Sequence, residues 1–478
     1  MRLFQHRARQ QDRRRGAARK AAPGDRDGAG SLGLSTLQDI FRDAACAAAL
    51  SDDKLLAAMA CFEAALAHAC AEAGLAPAEA AKTIADVSAR AEFDAAALAR
   101  AARTAGALTI PFVKRLTEQV AAVSPEAARY VHLGATSQDV IDTGLVLCLL
   151  PASARVLALS RRLGDAAAAL AKRHARTPMA ARTLLQPAVP VTFGWKAAVW
   201  LSMIARSHAR FAALAREACV LQFGGAGGTL SAYGDKGEAV AQALAAGLSL
   251  KRSPIPWHSA RDGFARLGAE AAILAGAAAK IARDVSLLMQ PEVAEVSEPS
   301  GEGRGGSSAM PHKRNPVASL AALEAAQRTP ALAATLLGEL APEHERGLGQ
   351  WQSQWLTLRE LLASAAGALD AMGEALEGLV VDAKAMRANL ERSGGLVYSE
   401  SVSIALSAKL GKSAAHALTE KLSATAVRDG KRLKDVVRQA HPELDVDSLF
   451  DPERCLGDSQ AMIERTLADW LSAREKAL

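Results

Sequence analysis

From residue 51 onward the apolar positions fall into steps of three and four. Ser51 can cap a helix that puts Leu55, Met59, Phe62 and Leu66 on one face and ends at Gly74. Farther along, Phe264, Leu267, Ala271, Leu274, Ala278, Ile281, Val285 and Leu288 keep the same spacing without a miss, and so do Trp351, Trp355, Leu358, Leu362, Ala365, Leu369, Met372, Leu376 and Leu379. Stripes sustained over about 28 residues predict rods of roughly 42 Å, and their alanines let neighbouring rods approach closely. Pro151 lies inside another apolar pattern and is expected to kink or interrupt its helix. After "RSGGLVYSE" the long pattern gives way to shorter helices around "DGKRL" and "HPELD". The pattern therefore predicts a smaller helical domain over 35–136, a central long-helix bundle over 137–389 and a C-terminal helical domain over 390–478. Long rods striped on more than one side need partners, so a homo-oligomer is expected.

Composition sharpens the fold class. Of the 478 residues 50% are hydrophobic but only 4% aromatic, and Ala and Leu dominate the apolar set, which favours helix over sheet. The expected fold is all-α. No charge-free apolar run of about 18 residues and no leader-like start is present, so the chain reads as cytoplasmic with no membrane partner. Six scattered cysteines without CxxC spacing suggest buried thiols rather than a disulfide framework or zinc site. The formal charge of +6 points toward nucleic acid until it is located. Residues 1–30 hold nine Arg or Lys against three Asp, which accounts for the whole excess. The body is formally neutral, no nucleic-acid partner is expected, and residues 1–34 read as a basic, disordered extension.

Candidate chemistry concentrates in a few short stretches. "GEGRGGSSAMPHKRNPVASL" (301–320) joins flexible glycines, two hydroxyls and basic side chains to an Asn315-Pro316 helix start. The amides of "VASL" are expected to face Lys313 and Arg314 as an anion site. In "VHLGATSQDVIDT", Thr136 and Ser137 stand before a helix, where their hydroxyls either cap it or bind an anion. "ARTLLQPAVPVTFG" supplies Thr183 and Gln186, with Pro190 read as opening the next helical run and local turn hydrogen bonds as the plainer role of the two side chains. "QFGGAGGTLSAYG" brings a glycine turn with Thr229 and Ser231, and "PWHSARDG" offers His258 and Arg261.

These stretches carry a resemblance. "GSSAMPHKRNP" is similar to the GSSxMPxKxNP signature of the fumarase/aspartase superfamily, and "HLGATSQDVIDT", "RTLLQ" and "GGAGGT" resemble its other regions in order and spacing over about residues 35–478. The resemblance implies a three-domain all-α fold, a homotetramer with active sites assembled from three subunits, and elimination β to a carboxylate through a carbanion-like aci-carboxylate, with no metal or cofactor. It makes Ser307 the proton carrier, in preference to Ser308, with Lys313 and Asn315 binding the carboxylate. Arg304 and Lys313 would stabilise the serine oxyanion. Thr136, Ser137, Thr183, Gln186 and His132 would orient the substrate's carboxylates, and His258 and Arg261 would be additional ligands.

One departure narrows the chemistry. Superfamily lyases that release an amine or hydroxide commonly read T-H-x-Q where this chain has Thr183-Leu184-Leu185-Gln186. Leu184 cannot protonate a leaving group, so the group must depart unaided, as a carboxylate with pKa near 4 does. That points to lactone chemistry; with the resemblance, a tricarboxylate substrate would use the cations well. Adenylosuccinate-lyase-like elimination is the alternative, since "TSQD" and "SSAMPHKRNP" resemble that enzyme closely. A non-catalytic structural homologue is less favoured, because Ser307, Lys313 and Asn315 are all retained.

Overall fold

The computed structural model describes residues 40–301, 304–306, 310 and 313–476. The basic extension and Ser307, Ser308 and His312 lie outside them. The described chain is almost wholly helical, with three two-stranded sheets.

Chain contacts divide it into two interleaved units. One comprises residues up to Ala154, Leu214–Gly268 and Leu332–Ala363; the other comprises Arg155–Ala213, Ala269–Ala331 and Ser364 onward. These cuts fall within the long helices; of the two sequence boundaries, the one at 136 falls just before helix Ser137–Arg173 and the one at 390 falls inside helix Ala383–Arg392. In the first unit, helix Asp52–Glu72 starts at the Ser51 cap, whose hydroxyl accepts from the Lys54 amide at 3.4 Å. It buries Leu55, Met59, Phe62 and Leu66 as its spacing requires. Ile84, Phe112, Leu116, Val240 and Leu244 from three other helices are buried in the same unit. Cys46, Cys70, Cys148 and Cys219 are buried and form no disulfide.

The two predicted rods are helices Asp262–Leu288 and Gln350–Glu377. Helix Ser137–Arg173 continues for 37 residues through Pro151, so the helix is not interrupted there. Only the lost amide bond and ring crowding oppose the helix there, and buried neighbours such as Leu149, Ala152 and Val156 hold it in register. This helix and Ala44–Glu72 are apolar and long enough to cross a bilayer, yet 67% of each apolar window is buried inside the molecule, the pattern of core helices.

The second unit holds a buried polar contact with a pH signature. His208 Nδ1 lies 2.7 Å from the Ser160 hydroxyl, and the ring meets Trp470 edge-on. Burial, reinforced by Arg161, pushes the His208 pKa down to about 4. The unfolded chain therefore takes up a proton near pH 6.5 that the folded chain refuses until about 4. Stability from this residue is complete above about 6.5 and is lost as pH falls toward 4, by about 3 kcal/mol. His208→Gln is expected to flatten that part of the stability curve in urea titrations at pH 4.5 and 7, and an unchanged slope would refute the assignment.

Candidate active site

In the first unit, Asp139 organises the residues singled out around 132–137 and 258–261. It sits in the first turn of helix Ser137–Arg173, where amides favour an anion. Its buried carboxylate accepts from the amides of Thr136 (3.0 Å), Gly224 (3.0 Å) and Gly225 (2.9 Å). His258 Nε2 completes the set at 2.7 Å. Three segments distant in sequence are thereby tied to one carboxylate. The close approach explains a glycine: a Cβ on Gly224 would stand 2.8 Å from Pro256 and 2.9 Å from His258 Cε1.

Asp139, not a hydroxyl, thus caps this helix. The side chains of Thr136 and Ser137 have no hydrogen-bond partner among the described residues and are half-buried, which leaves both oxygens open to a ligand. The T-x-x-D spacing of Thr136 and Asp139 is a capping-box pattern and was legible in the sequence. His132 occupies the left-handed region at φ 59° and places Nδ1 2.7 Å from the Glu63 carboxylate. Glu63 carried no signal beyond its place in a helical pattern.

Arg261 is bound within the protein. Its side chain is 1% exposed and forms a two-pronged ion pair with Asp142, Nη1 to Oδ2 at 2.6 Å and Nη2 to Oδ1 at 3.1 Å. Nε and Nη2 also donate to Gln354 Oε1 at 2.9 and 2.6 Å, and the guanidinium lies against Trp257 and Phe264. Trp351 Nε1 donates to the same Asp142 at 3.0 Å. A guanidinium committed in this way neutralises a buried carboxylate. His258 is likewise engaged at Nε2, and its backbone oxygen accepts from Gln138 Nε2 at 2.9 Å.

In the second unit, "RTLLQPAVPVT" is not the approach to a helix but a β-hairpin. Strands Pro178–Thr183 and Gln186–Thr192 pair antiparallel, with Thr183 opposite Gln186 and Pro190 opposite Ala180. The next helix starts at Phe193. Leu184 and Leu185 form the two-residue turn with φ 50° and 66°, the geometry of a type I′ turn that ordinarily takes Asn-Gly. They are 97% and 75% exposed. The base is held firmly: Arg182 pairs with the buried Glu295 at 2.7 and 2.9 Å, and Asn389 Nδ2 donates to that carboxylate at 2.8 Å. Thr183 and Gln186 flank the turn, exposed, and their side chains have no partner among the described residues, so they are not engaged in turn hydrogen bonding.

The glycine-rich stretch brings three candidates together. Arg304, Lys313 and Asn315 line one cavity of ≈ 190 Å³ with Glu298 and Met289. Gly305 takes φ +68°, and its carbonyl accepts the Asn315 amide at 2.8 Å, where a Cβ would meet Asn315 O at 2.8 Å. Lys313 is exposed. Arg304 is ion-paired with Glu374 through Nη1, while its Nε is buried without a partner among the described residues.

The anion site expected at the amides of "VASL" is also corrected. Helix Val317–Gly338 is capped by Glu298, whose carboxylate accepts from the Ala318 and Ser319 amides at 3.0 and 2.9 Å and from the Ser319 hydroxyl at 2.7 Å. A buried carboxylate already fills the helix end, and the Asn315 side chain turns instead to Gly306 O at 3.4 Å. Lys313, Arg304 and Asn315 are the side-chain donors that remain along this cavity.

Residues 36–329 match the lyase family, a span that contains every one of these segments. The chain belongs to the fumarase/aspartase superfamily of lyases. Residues 395–466 of this lyase chain match the adenylosuccinate lyase C-terminus. It is 49% identical over 438 residues to the 3-carboxy-cis,cis-muconate cycloisomerase of Bradyrhizobium diazoefficiens, covering 90% of this chain and 97% of that one. It is 48% identical to the enzyme of the same name from Pseudomonas aeruginosa, covering 90% and 95%. Among solved structures, the 3-carboxy-cis,cis-muconate lactonizing enzyme of Pseudomonas putida superposes with a TM-score of 0.86 at 41% identity, covering 92% of this lyase and 100% of that chain.

Proposed function

We infer that the chain is a cycloisomerase that closes 3-carboxy-cis,cis-muconate to a carboxymuconolactone, a step of protocatechuate breakdown in the β-ketoadipate pathway. Leu184 carries the reading: the residue at the hairpin tip, where amine- and hydroxide-releasing relatives place a histidine, is an exposed leucine with no proton to give. In the lactonising direction one terminal carboxylate of the trianion adds through oxygen to the distal double bond. The electron pair moves onto the neighbouring carboxylate as an aci-carboxylate, and one proton is taken up at the adjacent carbon. A dicarboxylate lactone results. Lys313 and Asn315 hold the carboxylate on which charge develops, Arg304 adds a second cation, and Ser307 delivers the proton.

Thr136, Ser137, Thr183, Gln186 and His132 orient the remaining carboxylates. The side chains of Thr136, Ser137, Thr183 and Gln186, which have no partner among the described residues, support these roles. His258 acts behind them, holding Asp139. The protein works as a cytoplasmic homotetramer with each site built from three copies. The exposed Leu184-Leu185 tip and the exposed Ile273, Leu287, Leu320 and Leu356 on long helices support assembly. The product test is direct: purified protein incubated with 3-carboxy-cis,cis-muconate should yield a lactone carbonyl and a new saturated CH2 beside a carboxylate by NMR, and an open-chain product would refute the reading. Leu184→His should not raise lactonising kcat, because no acid is missing. A tenfold gain would show that the leaving carboxylate needs a proton and would sink the lactone argument.

A further inference from the structure

Glu63 is an anomaly on the buried face of helix Asp52–Glu72. It stands among Met59, Phe62 and Leu66 and is 1% exposed. One oxygen lies 2.7 Å from His132 Nδ1; the other is buried with no partner among the described residues. Removing a carboxylate from water is expensive unless a cation compensates, and the His132 ring is the group in contact with it. His132 reaches that position from a left-handed backbone at φ 59°, disfavoured for a residue with a Cβ. Its Nε2 has no partner among the described residues.

The surroundings agree on the charge. Burial would lower the His132 pKa, but the charge and hydrogen bond of Glu63 and the charge of Asp139 together outweigh it and lift it above 6.5. Cys70, on the helix of Glu63, is pushed up to about 11 by burial and by Glu63. Burial also drives Tyr233 upward, with Cys70, Asp139 and Glu63 adding to it, and its hydroxyl is engaged with Leu133 O at 2.6 Å. Cys70 and Tyr233 therefore stay neutral. Asp139 is shared with His258, which leaves Glu63 to His132 alone.

We propose that Glu63 is a positioning residue that holds His132 as an imidazolium, so that its second ring N–H is a charged donor for a substrate carboxylate. This rests on the reading that His132 binds substrate, and it adds a pH gate to that reading. Substrate recognition is strong while His132 is charged and weakens as the imidazolium is lost at alkaline pH.

The test combines a titration without substrate and a kinetic profile. Hydrogen–deuterium exchange at histidine Cε1, read by mass spectrometry on the peptide containing His132, is expected to give a midpoint above 6.5 in the wild type and a lower one in Glu63→Gln. Glu63→Asp, which keeps the charge, should restore much of the difference. KM for 3-carboxy-cis,cis-muconate should rise about tenfold on the alkaline side, the loss of one charge-assisted hydrogen bond, and that rise should move to lower pH in Glu63→Gln while kcat changes little. An unmoved His132 midpoint in Glu63→Gln overturns the proposal, and so does a moved midpoint with an unmoved KM profile. A wild-type midpoint at or below 6.5 overturns it whether or not the variant folds. Because the exchange titration needs no substrate, failure of the lactonising reading would show as absent turnover beside an intact His132 shift.

Discussion

Ser307→Ala is expected to lower kcat by about 10²–10⁴, the usual worth of a positioned acid or base, while KM stays within a few-fold. A hydroxyl that acts only by passing a proton to carbon contributes to the transition state and little to ground-state binding. Lys313→Ala should differ in kind. On the proposed reading its ammonium recognises the ground-state carboxylate and also the aci-carboxylate formed from it, so KM should rise and kcat fall together. The contrast is read from steady-state kinetics on both variants with the wild-type oligomer confirmed by light scattering. If Ser307→Ala kept near-normal turnover while Ser308→Ala or His258→Ala abolished it in folded protein, the proton carrier would be misassigned.

The largest stability effect is expected at Arg261. Arg261→Met should destabilise the protein by about 3–5 kcal/mol, because it leaves the Asp142 carboxylate buried without its counter-charge. Trp351 Nε1 at 3.0 Å and Gln222 Nε2 at 3.4 Å would remain as neutral donors. Adding Asp142→Asn should recover part of the loss, since the pair is then removed rather than broken. Thermal and urea unfolding report the loss. KM reports the role, and folded Arg261→Met should keep it within a few-fold. A large rise in KM with little change in stability would return Arg261 to the substrate site.

Arg261 shows where sequence reading stops. "SARDG" places an arginine next to a rod but cannot show that Asp142, 119 positions earlier, lies 2.6 Å from it. The rods were legible, because steps of three and four repeat along the chain and local spacing alone decides which face is buried. The hairpin was not. Its turn is Leu-Leu, without the glycine or asparagine that announces a type I′ turn, and Pro190 reads as a helix opener while standing in a strand opposite Ala180. Burial of Met179 and Ala180 and the Arg182–Glu295 pair hold the hairpin against that local preference.

The candidate site divides similarly. Lys313, Asn315 and Arg304 were found from one contiguous motif, and they line one cavity. The free amides expected at the following helix were already taken by Glu298, a residue 17 positions before Asn315 whose capping role depends on the chain folding back. Asp139, passed over in the sequence reading, was visible as a capping-box partner of Thr136. Glu63 was not, because a glutamate in an amphipathic helix reads as solvent-facing until its neighbours are known.

The central claim is tested most directly by offering the purified protein 3-carboxy-cis,cis-muconate and adenylosuccinate side by side and following the ultraviolet absorbance of each. Rapid loss of the diene absorbance from the first, with adenylosuccinate unchanged, is the predicted result. Release of fumarate from adenylosuccinate, with the muconate untouched, would contradict it.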